Sequence, residues 1–369
     1  MTQMTRQIKA GITHGDFNGV GYEVILKALA DEEITSLFTP VIFADWRLVE
    51  LARKNLNIDI KNLRKIQDAS EAEEGSVNVV DLRLPDTGLK AGEPTEASGR
   101  GAVIALDTAM EALSQGDIDL LVTAPISKEA AQSDSFHFPG HTEYLEAKAP
   151  EGSHALMILF DDRLRVALVT THLPISKISE AITKETVSDT IKRFDTSLRQ
   201  DFGFERPKIA VLSLNPHCGD GGLLGSEEEE VIIPAIKEAN EARCMAFGPY
   251  AADGFFGSGA YRDFDGVVAM YHDQGLAPFK TLSGENGVNF TAGLPFVRTS
   301  PDHGTAYDIA WKGVADESSM RRAIYSAIDI YRTRANHLQA ARNPLRKARQ
   351  ERPADNKNDK TLDLSKEEV

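Results

Sequence analysis

The chain has 369 residues, 41% hydrophobic and 26% charged, which is ordinary for a soluble globular protein. Forty-one basic against 56 acidic side chains leave a net charge of −15, a surface that repels phosphodiesters and excludes a non-specific nucleic-acid binder. No apolar run approaches the ~20 residues that span a bilayer.

The N-terminal MTQMTRQIK has no signal-peptide core. Two cysteines, Cys218 and Cys244, make neither a disulfide framework nor a four-thiolate zinc site. A reducing, cytoplasmic setting is expected, and at roughly 150 residues per domain the length favours two domains.

In chain order, short apolar runs alternate with amphipathic segments, the pattern of parallel α/β construction. Ile8–Ile12 reads as a strand and Gly21–Ala30 as a helix. Further strands are expected at Pro40–Phe43, Val77–Val80, Ile118–Val122, Ala155–Phe160, Arg165–Thr170, Ile209–Leu214 and Gly266–Met270. Several are continuous Val/Ile/Leu/Ala runs, as in strands covered on both faces. Helical periodicity marks Ala102–Gln115, Lys184–Arg199, Glu227–Ala242 and Met320–Tyr331. From Asn343 to Val369, 13 of 27 residues are charged and none is aromatic, so a solvated, disordered tail is expected.

Three of nine histidines fall just beyond strands: His172 after Val166–Thr170, His217 after Ile209–Leu214, and His272 after Val267–Met270. Ligands collect at such strand ends in open α/β sheets. Neutral imidazoles converging there bind a divalent metal, though three independent loop histidines fit the spacing equally well. Lys128, after the strand Ile118–Val122, is either a solvated cation or a catalytic group. His141 and Thr142 are placed at a helix start, where free N–H groups favour an anion or Thr142 simply caps. Lys280, Asn289 and Arg298 lie in a Gly/Pro-punctuated, loop-rich stretch and together hold a phosphate or are scattered surface cations.

Two tempting signals point elsewhere. Ser226-Glu-Glu-Glu-Glu230 reads as a capping box and not as a metal cluster. Gly15, Gly19 and Gly21 do not form Gly-x-Gly-x-x-Gly, since Val24 stands at the third position.

As an ordered set, several segments resemble the 4-hydroxythreonine-4-phosphate dehydrogenase family of pyridoxal phosphate biosynthesis. They are Ile12-Thr-His-Gly-Asp16, Thr123-Ala-Pro-Ile-Ser-Lys128, Gly140-His-Thr-Glu143, Thr170-Thr-His-Leu-Pro174, Leu214-Asn-Pro-His-Cys-Gly219, Tyr271-His-Asp-Gln-Gly-Leu276, Val288-Asn289 and Arg298-Thr-Ser-Pro-Asp-His-Gly-Thr-Ala306. The resemblance covers roughly residues 8 to 330. It implies an isocitrate/isopropylmalate dehydrogenase-like α/β fold of two domains with a cleft between them. The expected partition is 1–128 with 300–342, then 129–299, with 343–369 as the tail.

The implied reaction is NAD- or NADP-dependent oxidation of the C3 hydroxyl of 4-phosphooxy-L-threonine, followed by decarboxylation to 3-amino-2-oxopropyl phosphate. A sister dehydrogenase acting on phosphoerythronate or phosphothreonate is the alternative, with a hydrolase, lyase or phospho-ligand sensor more distant. By the same resemblance, His172, His217 and His272 hold one divalent metal (Zn, Mg, Mn or Co) shared across a homodimer. His141, Thr142, Lys280, Asn289 and Arg298 contact substrate, Gly304, Thr305 and Asp308 contact cofactor, and Asp253, Lys128 and a metal-bound hydroxide are candidate bases. Asp16-Phe-Asn-Gly19, Tyr22 and Cys218 depart from the family's pattern.

Overall fold

The computed structural model describes residues 6–31, 33–132, 136–138 and 140–342; the expected tail lies outside them. Twelve strands form one continuous sheet. They are β1 (Lys9–Thr13), β2 (Thr39–Ala44), β3 (Leu63–Ile66), β4 (Val77–Asp81), β5 (Leu120–Thr123), β6 (Leu156–Phe160), β7 (Arg165–Leu168), β8 (Lys208–Leu212), β9 (Met245–Tyr250), β10 (Gly266–Ala269), β11 (Val288–Ala292) and β12 (Arg298–Pro301). Their spatial order is β3-β4-β2-β1-β5-β12-β11-β6-β7-β10-β8-β9.

Strands β3 to β12 in that order run parallel. Strand β11 is antiparallel to both β12 and β6, and β6 is antiparallel to β7. Beyond β7 the sheet is parallel again through β10, β8 and β9. Two parallel halves therefore meet at a short antiparallel seam.

Every residue of β2, β5, β6 and β10 is buried, which is why these strands read as unbroken apolar runs. The helix Glu96–Gln115 starts on a Thr95/Ser98 capping box and ends on Gly116 in the left-handed region. The helix Ser318–Arg342 continues beyond the expected Tyr331. It packs on β5, β11 and β12, and its Ala323 carbonyl accepts a hydrogen bond from Thr299 Oγ1.

Three expectations are corrected. The stretch from Lys280 to Arg298 is not mainly loop. Lys280 lies in the helix His272–Ser283, and β11 and the start of β12 follow. Pro278 is tolerated inside that helix.

Ser226 makes no capping box. The segment Glu228–Ile232 opens as a wider π-type turn without a side-chain cap, and its acids fold back on the preceding loop. Glu228 Oε1 accepts the backbone N–H groups of Leu214 and Asn215 at 2.8 and 2.7 Å. Nor does Thr142 cap its helix, since His141–Lys148 begins after Gly140 with no side-chain cap.

Candidate functional site

A cavity of about 280 Å3 sits over the antiparallel seam. Alternation along the strands aims residues two apart at the same space: Met157 and Leu159 from β6, Asn289 from β11, Arg298 and Ser300 from β12. Thr123, the last residue of β5, and Lys128, which opens the short helix Lys128–Ala131, line another side. His141, Thr142 and Glu143, in the first turn of His141–Lys148, bring N–H groups that suit an anion. His172, from the loop after β7, and His272, at the start of the helix after β10, complete the wall with Lys280, Asp302, His303 and Gly304.

Arg298 dominates the electrostatics. It is 2% exposed. Its Nε and one terminal nitrogen donate to Thr123 Oγ1 at 3.1 and 2.6 Å, and the other donates to Thr291 Oγ1 at 3.0 Å. No carboxylate pairs with it among the described residues. Burial pulls its pKa down to about 9, opposed by the negative charge of Glu143. A guanidinium held by hydroxyls alone, facing a cavity, is half of an ion pair.

His141 is pushed well below the usual imidazole range by burial and then by the charges of Arg298 and Lys128, so it is neutral at neutral pH. Lys280 Nζ lies 3.0 Å from Asp302 Oδ1. Burial raises the Asp302 carboxyl and Lys280 opposes that rise. Asn289 Oδ1, Glu143 Oε2 and His303 Nε2 are buried without a hydrogen-bond partner. Native structures seldom leave such groups unmet.

The rings of His172 and His272 have centroids 6.2 Å apart. His172 Nδ1 is 3.4 Å from Glu143 Oε1, and His272 Nδ1 is 2.7 Å from Asp273 Oδ1. A carboxylate on Nδ1 fixes the tautomer that presents a bare Nε2, the usual outer support of a metal-bound histidine. The pair therefore fits a divalent cation as far as two ligands go. The hydrogen bond from His172 also holds the Glu143 carboxyl below its usual range, with Lys128 adding to the effect.

His217 is elsewhere. It is exposed, on a turn in which His217, Cys218 and Asp220 all adopt positive φ (53°, 55° and 46°). Asn215 Nδ2 anchors that turn on Glu227 and Glu228 at 2.7 and 3.0 Å. Cys218 Sγ faces the Pro249 carbonyl at 3.5 Å. Among the described residues no three His, Cys, Asp or Glu side chains are grouped to hold a metal ion.

Asp253 is exposed on the helix Ala252–Gly257 and does not line the cavity. Gly304 lines it, whereas Thr305 and Asp308 do not. The Thr305 carbonyl instead accepts from Val20 N–H at 3.0 Å. A Cβ on Gly19 would stand 2.7 Å from that carbonyl, so the first-loop glycine serves loop-to-loop packing. Asn18, one of the departures from the family's pattern, ties this loop to the Glu93 carbonyl and Thr95 Oγ1 at 2.8 and 3.0 Å.

Glu143, Asp302 and Thr123 had no assigned role in the sequence, whereas His303 opens the loop that the resemblance gives to the cofactor. The one available signal was that each stands inside or beside a segment carrying a proposed ligand.

A cationic, partly orphaned cavity at the reversal point of a mixed sheet is the mark of an α/β protein that takes a small anionic ligand. Residues 36–327 match the family described as pyridoxal phosphate biosynthetic protein PdxA, and the chain belongs to that family. It is 53% identical over 341 residues to a 4-hydroxythreonine-4-phosphate dehydrogenase of Bacteroides thetaiotaomicron, covering 92% of this chain and 93% of the relative. It is 41% identical over 330 residues to a D-threonate 4-phosphate dehydrogenase of Cupriavidus necator, covering 88% and 98%. The crystal structure of a 4-hydroxythreonine-4-phosphate dehydrogenase from Klebsiella pneumoniae superposes with a TM-score of 0.75 at 34% identity, covering 88% of this chain and 99% of that one.

Proposed function

We propose that the chain oxidises the C3 hydroxyl of 4-phosphooxy-L-threonine with a nicotinamide dinucleotide, and that the β-keto acid formed loses carbon dioxide to give 3-amino-2-oxopropyl phosphate. The observation that carries this reading is Arg298, buried and charged with no carboxylate paired to it among the described residues. A phosphate supplies the missing charge.

Arg298 would hold the phosphate as a planar fork, with Lys280 and the N–H groups at His141–Thr142 closing around it. Neutral His141 donates or accepts one hydrogen bond without adding charge. Asn289 Oδ1 and Glu143 Oε2 offer acceptors. Lys128, at the cavity wall, is the chain's candidate for taking the hydroxyl proton, and a nicotinamide dinucleotide would supply the hydride acceptor. A divalent cation on His172 and His272 would supply Lewis-acid stabilisation of the C3 oxygen. Asp253, outside this protomer's cavity, is proposed only as a residue reaching the site from a second copy.

His217 enters the same proposal through a homodimer. Leu173 (45% exposed) and Ile175 (82%) flank His172, and Leu223 (77%) and Leu224 (44%) follow the His217 turn. Apolar side chains exposed beside both histidines support a second copy that brings its own His217 to this site. We also propose that residues 1–128 with 300–342, and 129–299, act as two lobes on the continuous sheet. The described residues contain no helix long and apolar enough to cross a membrane, which is compatible with a cytoplasmic biosynthetic role.

The kinship with a D-threonate 4-phosphate dehydrogenase favours a second reading in which C2 carries a hydroxyl. Both are tested by following reduced-dinucleotide absorbance with 4-phosphooxy-L-threonine, 4-phospho-D-threonate and 4-phospho-D-erythronate, with and without a chelator. Turnover of the amino acid phosphate, abolished by chelation and restored by a divalent cation, is expected. Turnover confined to the hydroxy acids would replace the first reading with the second, and unimpaired turnover under chelation would remove the metal.

A further inference from the structure

A cavity of about 710 Å3 lies at the other end of β5 and β12 from the cationic one. It opens where Ile118 and Asp119 lead into β5 and where residues 295–297 lead into β12. Three helices wall it. Met110 and Leu113 come from Glu96–Gln115, Lys148 ends His141–Lys148, and Arg334, Ala335 and Leu338 lie along Ser318–Arg342. Phe296 and the exposed Leu338 add to a lining that is mostly apolar. Its size falls within the range of small-molecule pockets.

The polar groups of this cavity are unevenly answered. Asp119 is saturated: its two oxygens take Arg6 twice at 2.8 Å, the Lys9 N–H at 2.8 Å and the Tyr331 hydroxyl at 3.2 Å. Arg334 is not. It is 9% exposed, its Nε donates to Asp201 Oδ1 at 2.7 Å, and Nη1 donates to the Leu294 carbonyl at 3.0 Å. Its Nη2 is buried with no hydrogen-bond partner, an arrangement that costs free energy until an acceptor arrives. Lys148 reaches Asp107 only at 3.7 Å, with its ammonium 5.4 Å from the centre of the Tyr144 ring.

What is unmet is therefore donor capacity and one positive charge, beside an apolar hollow. Asp201 already balances the Arg334 charge, so a ligand bringing a single negative charge matches the remainder and a doubly charged phosphate overmatches it.

We propose that this cavity binds a small amphipathic monocarboxylate, its apolar chain against Met110, Leu113 and Phe296 and its carboxylate on Arg334 and Lys148. The site is separate from the dehydrogenase reading and stands or falls without it.

Titration calorimetry of decanoate into the full-length chain tests this, with decyltrimethylammonium as the same chain under a positive head. Decanoate is expected to bind one per chain, at least about tenfold more tightly than the cation. Arg334→Lys keeps a charge for Asp201 and removes the orphan nitrogen, and Lys148→Gln removes the second cation. Each is expected to weaken decanoate by roughly three- to tenfold and leave decyltrimethylammonium no weaker. Ala335→Trp, on an exposed helix position, fills the hollow without disturbing Arg334 and is expected to abolish binding at an unchanged Tm.

Equal affinity for the two heads, or decanoate binding unmoved by both charge variants, would overturn the carboxylate assignment. Undiminished binding by a folded Ala335→Trp would place the ligand elsewhere. No binding of decanoate at millimolar concentration would overturn the proposal outright and leave the groove to residues 343–369 or to a second copy.

Discussion

Replacing Arg298 by methionine should make the ligand-free protein more stable and the phosphate-dependent chemistry far weaker. The guanidinium is 2% exposed, and burial holds its pKa near about 9. That displacement from the ordinary value is equivalent to about 5 kcal/mol against the charged form, at the upper end of what such a group costs. The sign follows from a basic group whose folded pKa is lowered. The cost is complete below pH 9 and fades as pH rises through 9.

Methionine fills similar space without charge and leaves Thr123 and Thr291 each short of a hydrogen bond, about 1 kcal/mol apiece. A net gain of about 2–3 kcal/mol remains. With an unfolding entropy of about 2.1 cal/mol/K per residue, that is a rise in Tm of about 3–4 °C.

Inorganic phosphate should raise the wild-type Tm by about 2 °C at ten times its Kd and leave Arg298→Met unmoved. Losing two charge-assisted hydrogen bonds should cut kcat/KM for the phosphorylated substrate by roughly 10²- to 10⁴-fold. Differential scanning calorimetry with and without phosphate reads both effects. A variant that melts several degrees lower, or still gains stability from phosphate, would refute the view of Arg298 as a charge awaiting its counter-ion.

Two further outcomes are expected. His14 is wholly buried, neither ring nitrogen has a hydrogen-bond partner, and burial lowers its pKa to about 4. The unfolded chain takes up that proton first, so stability is full above about pH 6.5 and falls by about 3 kcal/mol as pH drops toward 4. Urea midpoints from pH 7 to 4 should show this decline, and His14→Phe should flatten it. Gly99 lies in the helix Glu96–Gln115, where a Cβ would stand 1.8 Å from the Ala130 carbonyl. Gly99→Ala should therefore cost more than about 2 kcal/mol and lower turnover by displacing the helix that begins at Lys128; a Tm within 1 °C of wild type would contradict it.

How far the sequence alone reveals this architecture depends on where each strand lies. Buried strands such as β2, β5 and β10 are legible as unbroken apolar runs because both faces are covered. The seam is not. Strand β11 reads Val-Asn-Phe-Thr-Ala and β12 reads Arg-Thr-Ser-Pro, since one face of each looks into the cavity and must carry polar groups. The chemistry that makes the site thus hides the strands that build it.

Lys128, His141, Thr142, His172, His272, Lys280, Asn289 and Arg298 share one cavity, and their likeness to family segments made them visible. His217 shows the opposite limit: it stands after a strand just as His172 and His272 do, yet it lies exposed on a turn outside this cavity. The Ser226 segment misleads for a local reason: its glutamates support the left-handed turn before them and not the helix after them.

Strand β12 and the helix Ser318–Arg342 close an edge that β5 leaves open almost two hundred residues earlier in the chain. During synthesis the amino-terminal strands therefore leave the ribosome with an unpaired strand edge and an uncovered apolar face, and wait for the last third of the polypeptide to seal them. The interval is a window for aggregation, and a nascent chain halted near residue 290 should be captured by chaperones more strongly than one released at residue 342.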